Sequence, residues 1–141
     1  MSLDIAALAA GDVIAERTMH LTRESLVRYA GASGDFNPIH YNDSAAAASG
    51  LPGVLAHGML TMGLAVQPVV EWLGDPARVT DYQVRFTRPV VVDPVAGADV
   101  TIVATLARLD DDRSSGRVDL TVTVAGATVL GKAQVVVALS E

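Results

Sequence analysis

A chain of 141 residues, half of them apolar and only 4% aromatic, has the length of one domain whose core must be built from Val, Ala and Leu. A formal charge of −6 with no Lys/Arg cluster argues against a nucleic-acid partner, and the lack of cysteine excludes disulfides, thiolate metal sites and cysteine nucleophiles. No stretch reaches the ~20 apolar residues that span a bilayer, and Met1-Ser2-Leu3-Asp4 has no signal-peptide character, so a cytoplasmic protein is expected.

Taken in chain order, residues Val13–Leu21 read as a first strand. Thr22 then offers a side-chain oxygen to the orphan N–H groups of a helix over Arg23 to about Gly31, with Leu26, Val27 and Ala30 as its apolar stripe. Gly31 and Gly34 end it, and Gly34–Tyr41 is a loop, because Pro38 pushes Asn37 out of the helical region. Asn42 or Asp43 caps a small Ala-rich helix over Ser44–Ser49. The main helix is expected from His57 to Val66, with small residues Gly58, Gly63 and Ala65 that admit close neighbours. Pro68 removes a backbone donor, so it should kink or end that helix before a second piece running to Leu73.

The remainder alternates with period two. Thr80, Tyr82, Val84 and Phe86 share one face of a strand, while Asp81, Gln83 and Arg85 share the other. Val100–Leu109 is apolar on both faces and reads as a central strand. Asp110–Gly116 is a polar turn, Val118–Val124 a further strand, Ala125-Gly126-Ala127 a hairpin loop, and Val129–Leu139 the last strand. The expected class is α+β over residues 1–141: a long antiparallel meander whose apolar face is covered by the helix near Met59–Val66, the shape of a hot-dog fold. Open edge strands in such a sheet predict pairing with a second copy or a second chain.

The stretch that bears chemistry is Ser33-Gly34-Asp35-Phe36-Asn37-Pro38-Ile39-His40, followed by Ala56-His57-Gly58-Met59-Leu60. A Pro-containing turn between Asp35 and His40 is able to bring a carboxylate and an imidazole to one point, with Asn37 bracing the bend. Such a pair, holding one water, suits general acid–base work. Gly58, at the start of the main helix, presents an N–H without an obstructing side chain, suited to a developing oxyanion.

These motifs resemble the signature of the MaoC-like (R)-specific enoyl-CoA hydratases and (3R)-hydroxyacyl-thioester dehydratases. The similarity extends through Val84-Arg85-Phe86-Thr87-Arg88-Pro89-Val90, and more narrowly to the catalytic subunit of actinobacterial dehydratases through Trp72-Leu73-Gly74-Asp75-Pro76. The resemblance implies a hot-dog fold and syn addition or elimination of water on a thioester borne by CoA or acyl carrier protein. It implies Asp35 and His40 as catalytic residues, the Gly58 amide as oxyanion donor and Asn37 as a supporting residue. It implies neither metal nor organic cofactor, and a homodimer or a heterodimer with a second hot-dog subunit. Which of Asp35 and His40 handles which proton stays open.

Plainer readings stand beside these. Asp35 alone could close an Asx-turn, and His57 could orient the helix start rather than touch substrate. His20 has no evident role, and His20, His40 and His57 lack metal-ligand spacing. Arg85, Arg88 and Lys132 suit either carrier phosphates or ordinary solvated charge. Residues 51–55 and 59–73 are expected to line an acyl tunnel. A hot-dog thioesterase, attacking the carbonyl carbon, and a non-catalytic acyl-binding partner subunit are the competing functions; the latter class lacks the Asp/His pair.

Overall fold

The computed structural model describes residues 3–140. Its elements are β1 (Val13–Leu21), α1 (Arg23–Ser33), a 3-10 turn (Pro38–His40), α2 (Asp43–Ala48), α3 (Gly58–Leu73), β2 (Val79–Phe86), β3 (Ala98–Leu109), β4 (Ser115–Val124) and β5 (Ala127–Ala138). The strands form one five-stranded sheet in the order β1-β3-β4-β5-β2, with every pairing antiparallel. The sheet curls around α3, the hot-dog arrangement.

Alternation along the strands dictates this layering. Val100, Ile102, Ala104 and Leu106 of β3 are buried, as are Val118, Leu120 and Val122 of β4 and Ala133, Val135 and Val137 of β5. The register aligns them in rows across the sheet: Leu106 opposite Val118, Val118 opposite Val135, and Val135 opposite Tyr82. Against this surface α3 buries Thr61, Ala65, Pro68, Val69 and Leu73, a helical repeat of one face. The Tyr82 hydroxyl donates to the Met62 carbonyl at 2.7 Å, which ties the edge strand β2 to the helix. Burial raises the Tyr82 pKa well above its ordinary value, so it stays a donor.

Val27, expected in the apolar stripe of α1, is exposed, and only Leu26 and Ala30 of that stripe are buried. Four further details differ from expectation. First, α1 runs through Gly31 to Ser33 and stops at Gly34, whose φ of +76° is the left-handed conformation glycine adopts most readily. Second, α3 is one helix through Pro68; burial of the Pro68 ring in the core outweighs the missing N–H. Third, nothing approaches Gly63, so of the three small residues only Gly58 and Ala65 meet close neighbours. Fourth, β2 lies beside β5 rather than β3, so only β3-β4-β5 form a meander. Thr22 does cap α1, within a capping box with Ser25, and Asn42 caps α2. The β4–β5 hairpin turns on Ala125 (φ 48°) and Gly126 (φ 78°), the sign pattern of a type I′ turn. Among the described residues β1 pairs only with β3 and β2 only with β5, so both sheet edges are open there. No helix among the described residues is long and apolar enough to cross a membrane.

At Gly97 φ is +70°, and an added Cβ would lie 2.3 Å from the Leu21 carbonyl oxygen. Gly97→Ala is therefore expected to destabilise the fold by about 2 kcal/mol or more, read by urea denaturation.

Several exposed carboxylates titrate below their ordinary range: Asp43 and Glu71 through hydrogen bonds from Arg23 and Arg17, Asp93 through the N–H groups of Ala96 and Val95, and Asp112 through Ser114. A depressed folded-state value gives stability that is complete above the unfolded pKa of about 4 and is lost as pH falls through the folded value. The melting temperature should therefore be flat above pH ~5 and decline below ~4. Asp93→Asn should shallow that decline; an unchanged slope would refute the assignment.

Candidate active site

The segment after α1 is built from consecutive side-chain caps. The Ser33 hydroxyl accepts the Asp35 N–H at 3.1 Å, Asp35 Oδ1 accepts the Asn37 N–H at 3.1 Å, and Asn37 Oδ1 accepts the Ile39 N–H at 3.3 Å. Pro38 opens the 3-10 turn, and the His40 N–H donates to the Asn37 carbonyl at 3.0 Å. This sequence of small turns swings His40 inward, where it is buried, and leaves the Asp35 side chain half exposed at the rim. Asp35 closes an Asx-turn and faces His40 at once: Oδ1 serves the turn, while Oδ2 lies 3.8 Å from His40 Nε2.

The His40 tautomer follows from its other nitrogen. Nδ1 sits 2.7 Å from the Leu55 carbonyl oxygen, which only accepts, so Nδ1 carries a hydrogen and, in the neutral ring, the lone pair is on Nε2, the nitrogen near Asp35. Leu55 is itself held, its N–H donating to the Ile39 carbonyl at 3.1 Å. A separation of 3.8 Å exceeds a direct hydrogen bond, yet one water at about 2.8 Å from each atom spans it.

His57, the residue before α3, lies face to face with His40, ring centroids 3.8 Å apart and planes at 21°. Its Nε2 is 3.1 Å from the backbone carbonyl of Asp35 and donates to it. The Tyr29 ring meets the His57 ring edge-on at 4.7 Å. Gly58 is the first residue of α3, whose opening N–H groups have no partner within the helix and lie at the positive end of its dipole. A Cβ at Gly58 would come within 3.0–3.3 Å of the Phe86 ring, so the glycine lets Phe86 close over the backbone.

Two cavities meet at this point. One, about 270 Å³, is lined by His40, Gly58, Thr61, Phe86, Arg88 and Leu130 among others. The other, about 470 Å³, is lined by Tyr29, Ser33, Asp35, His57, Gly58, Met59 and Phe86. Gly58 and Phe86 belong to both. Of the expected tunnel residues, Leu55, Met59 and Thr61 reach a cavity, while the opposite wall comes from residues 86–90 with Val129 and Leu130. Sequence reading missed that wall. The available signal was the strand alternation that placed Phe86 on the helix-facing side.

Asp35, His40 and His57 are also brought together, with one potential ligand atom of each within 4.8 Å of the others, a cluster their sequence spacing conceals. They do not suit a metal ion. Nearly parallel stacked rings direct their in-plane lone pairs side by side rather than at a common point, and one nitrogen of each ring already serves a backbone carbonyl. His20 lies elsewhere, 2.7 Å from Asp99. Arg88 reaches the smaller cavity and donates to the Thr128 carbonyl at 3.0 Å, whereas Arg85 and Lys132 line a separate depression with Gln83. The Asp110–Asp112 turn is solvated on its outer side and capped through Ser114.

Comparison with known proteins bears on this geometry. Over 79 residues the chain is 39% identical to 3-hydroxyacyl-thioester dehydratase X of Mycobacterium tuberculosis, a match covering 56% of this chain and 27% of that protein. It superposes on a solved MaoC-like dehydratase with a TM-score of 0.94 and 38% identity, covering 99% of this chain and 43% of the other. It superposes on the R-hydratase PhaJ1 of Pseudomonas aeruginosa with a TM-score of 0.83 and 27% identity, covering 99% and 88%. The chain thus spans about a quarter of the curated relative and under half of the first structure. Residues 5–126 match the MaoC like domain, and the chain belongs to that family.

Proposed function

We propose that this chain catalyses the reversible (R)-specific hydration of trans-2-enoyl thioesters, equally the dehydration of (3R)-hydroxyacyl thioesters, in fatty-acid metabolism. The observation that supports it most directly is the facing of His40 Nε2 and Asp35 Oδ2 across 3.8 Å, with Nδ1 of the imidazole already committed to the Leu55 carbonyl. That commitment leaves Nε2 as the free base beside a carboxylate, and His40 lines a cavity of about 270 Å³.

In hydration, the oxygen of the held water bonds C3 of the enoyl group while C2 accepts a proton. The Asp35/His40 pair takes one proton from the water and delivers one to C2, so it ends in the protonation state in which it began. Because both groups approach from one side, addition is syn. As the water oxygen adds to C3, negative charge builds through C2 onto the thioester oxygen, where the Gly58 N–H at the head of α3 stabilises it until C2 is protonated. Asn37 supports the bend through its own caps and touches no reacting atom. The dipole of α3 and the carboxylate of Asp35 therefore act on opposite ends of the same conjugated system.

The partner molecules follow from the same reading. The substrate is an acyl-CoA or an acyl-carrier-protein thioester, and the two open sheet edges fit a working unit of two hot-dog domains, either two copies of this cytoplasmic chain or this chain with a second hot-dog subunit. Residues 1–141 make up one such domain.

Asp35→Asn and His40→Gln are each expected to lower the hydration rate of a trans-2-enoyl-CoA by about 10²–10⁴-fold with the melting temperature retained. Loss of absorbance of the conjugated enoyl thioester reads the rate. Release of free thiol in place of the 3-hydroxyacyl product would instead identify a thioesterase. Gly58→Pro removes the N–H at the first helical position, where the backbone accepts proline while its ring must displace the Phe86 side chain, and is expected to cost about 10²–10³ in kcat. Wild-type kcat in that folded variant would remove Gly58 from the mechanism.

A further inference from the structure

His57 is buried to 2% exposure, touches both members of the dyad, and has no part in the proton transfers. We propose that His57 is a positioning residue: its ring is the floor on which His40 lies, and its Nε2–H clamps the backbone carbonyl of Asp35. One side chain thereby sets the distance between the two catalytic groups. The inference rests on the reading of Asp35 and His40 as the dyad.

The unused nitrogen of His57 carries the argument. Nδ1 is fully buried and has no hydrogen-bond partner among the described residues. Such an orphan acceptor is rare inside proteins, and it costs stability unless something else requires the ring to be there. A hydrophobic side chain of similar size would fill the space without that cost, but it would offer no N–H to Asp35. The same atom argues against a role as acid or base. A second proton on His57 would have to sit on the buried Nδ1, without an acceptor among the described residues, in a ring whose centroid lies 3.8 Å from that of His40. Proton traffic therefore belongs to His40, and His57 offers a π-face on which an imidazolium rests favourably.

The groups around the pair complete the constraint. Tyr29 packs edge-on against the far side of His57 at 4.7 Å and limits its rotation. Leu55 holds His40 from the other nitrogen. The Asp35 carboxylate is the charged group facing His40, and the His57 clamp acts on the backbone of that same residue. Loss of the ring would free His40 to tilt, and loss of the N–H would free the Asp35 loop. Either movement changes the 3.8 Å separation, to which bridging by one water is sensitive.

Three variants separate the two functions. His57→Phe keeps a ring beneath His40 but has no N–H; His57→Gln keeps a donor but has no ring; His57→Ala has neither. On an enoyl-CoA substrate, His57→Ala is expected to lose kcat by on the order of 100-fold, with KM changed less than about threefold and each conservative variant recovering part of the loss. Wild-type kcat per folded molecule in His57→Ala, or a loss carried wholly by KM, overturns the proposal. Nitrogen NMR of the histidine-labelled full chain provides a readout that needs neither activity nor a folded variant. His57 is expected as the Nε2–H tautomer and His40 as the Nδ1–H tautomer. A His57 ring protonated at Nδ1 instead overturns the clamp. If the chain has no hydratase activity while both tautomers are as expected, the functional reading fails and the clamp stands.

Discussion

The burial of α3 inside the curved sheet is the constraint on which the remaining features depend. A sheet curling around one helix needs a helix that is apolar around most of its circumference, and α3 meets that need with Thr61, Ala65, Pro68, Val69 and Leu73 toward the strands. Such a helix has its ends fixed by packing. Its N-terminus is delivered to the rim, where Gly58 presents an unpartnered N–H beside His57. An internal proline is tolerated for the same reason: the contacts that hold the segment are made by its side chains across the interface, and one absent backbone bond is a small part of the total.

The site is assembled where two kinds of structure meet. The bend from Gly34 to His40 is held by local caps, each spanning two or three residues, so it is a rigid unit in its own right. The segment 54–57 belongs to the body of the fold, its N–H and carbonyl groups bonded to Ile39 and to the chain around Val90–Val92. Contacts between the two occur at four points: Leu55 N–H to the Ile39 carbonyl, Leu55 carbonyl to His40 Nδ1, the His40–His57 stack, and His57 Nε2 to the Asp35 carbonyl. The two histidine hydrogen bonds decide which nitrogen of each ring is free.

Phe86 gives the cavity its form. It ends the strand that Tyr82 pins to α3, it lies across Gly58, and it lines both the cavity that includes His40 and the cavity that includes Asp35. The ring is more than half exposed.

Much of the fold was legible in the residues. The bounds of β1, the capping of α1 by Thr22, the alternation in β2 and β4 and the hairpin at Ala125-Gly126 follow from local pattern, because a strand face or a helix cap is decided by residues a few positions apart. The motif from Ser33 to His40 likewise named Asp35 and His40, and its Pro-containing turn already allowed them to meet at one point. Tertiary structure alone decided the rest. The placement of β2 beside β5, the unbroken course of α3 through Pro68, the wall from residues 86–90 and the stacking of His57 on His40 all depend on contacts between segments distant in the chain. Sequence periodicity reports which side of an element is apolar, but the partner that covers it is selected by packing of the whole, and so is the nitrogen of a buried histidine that is left free.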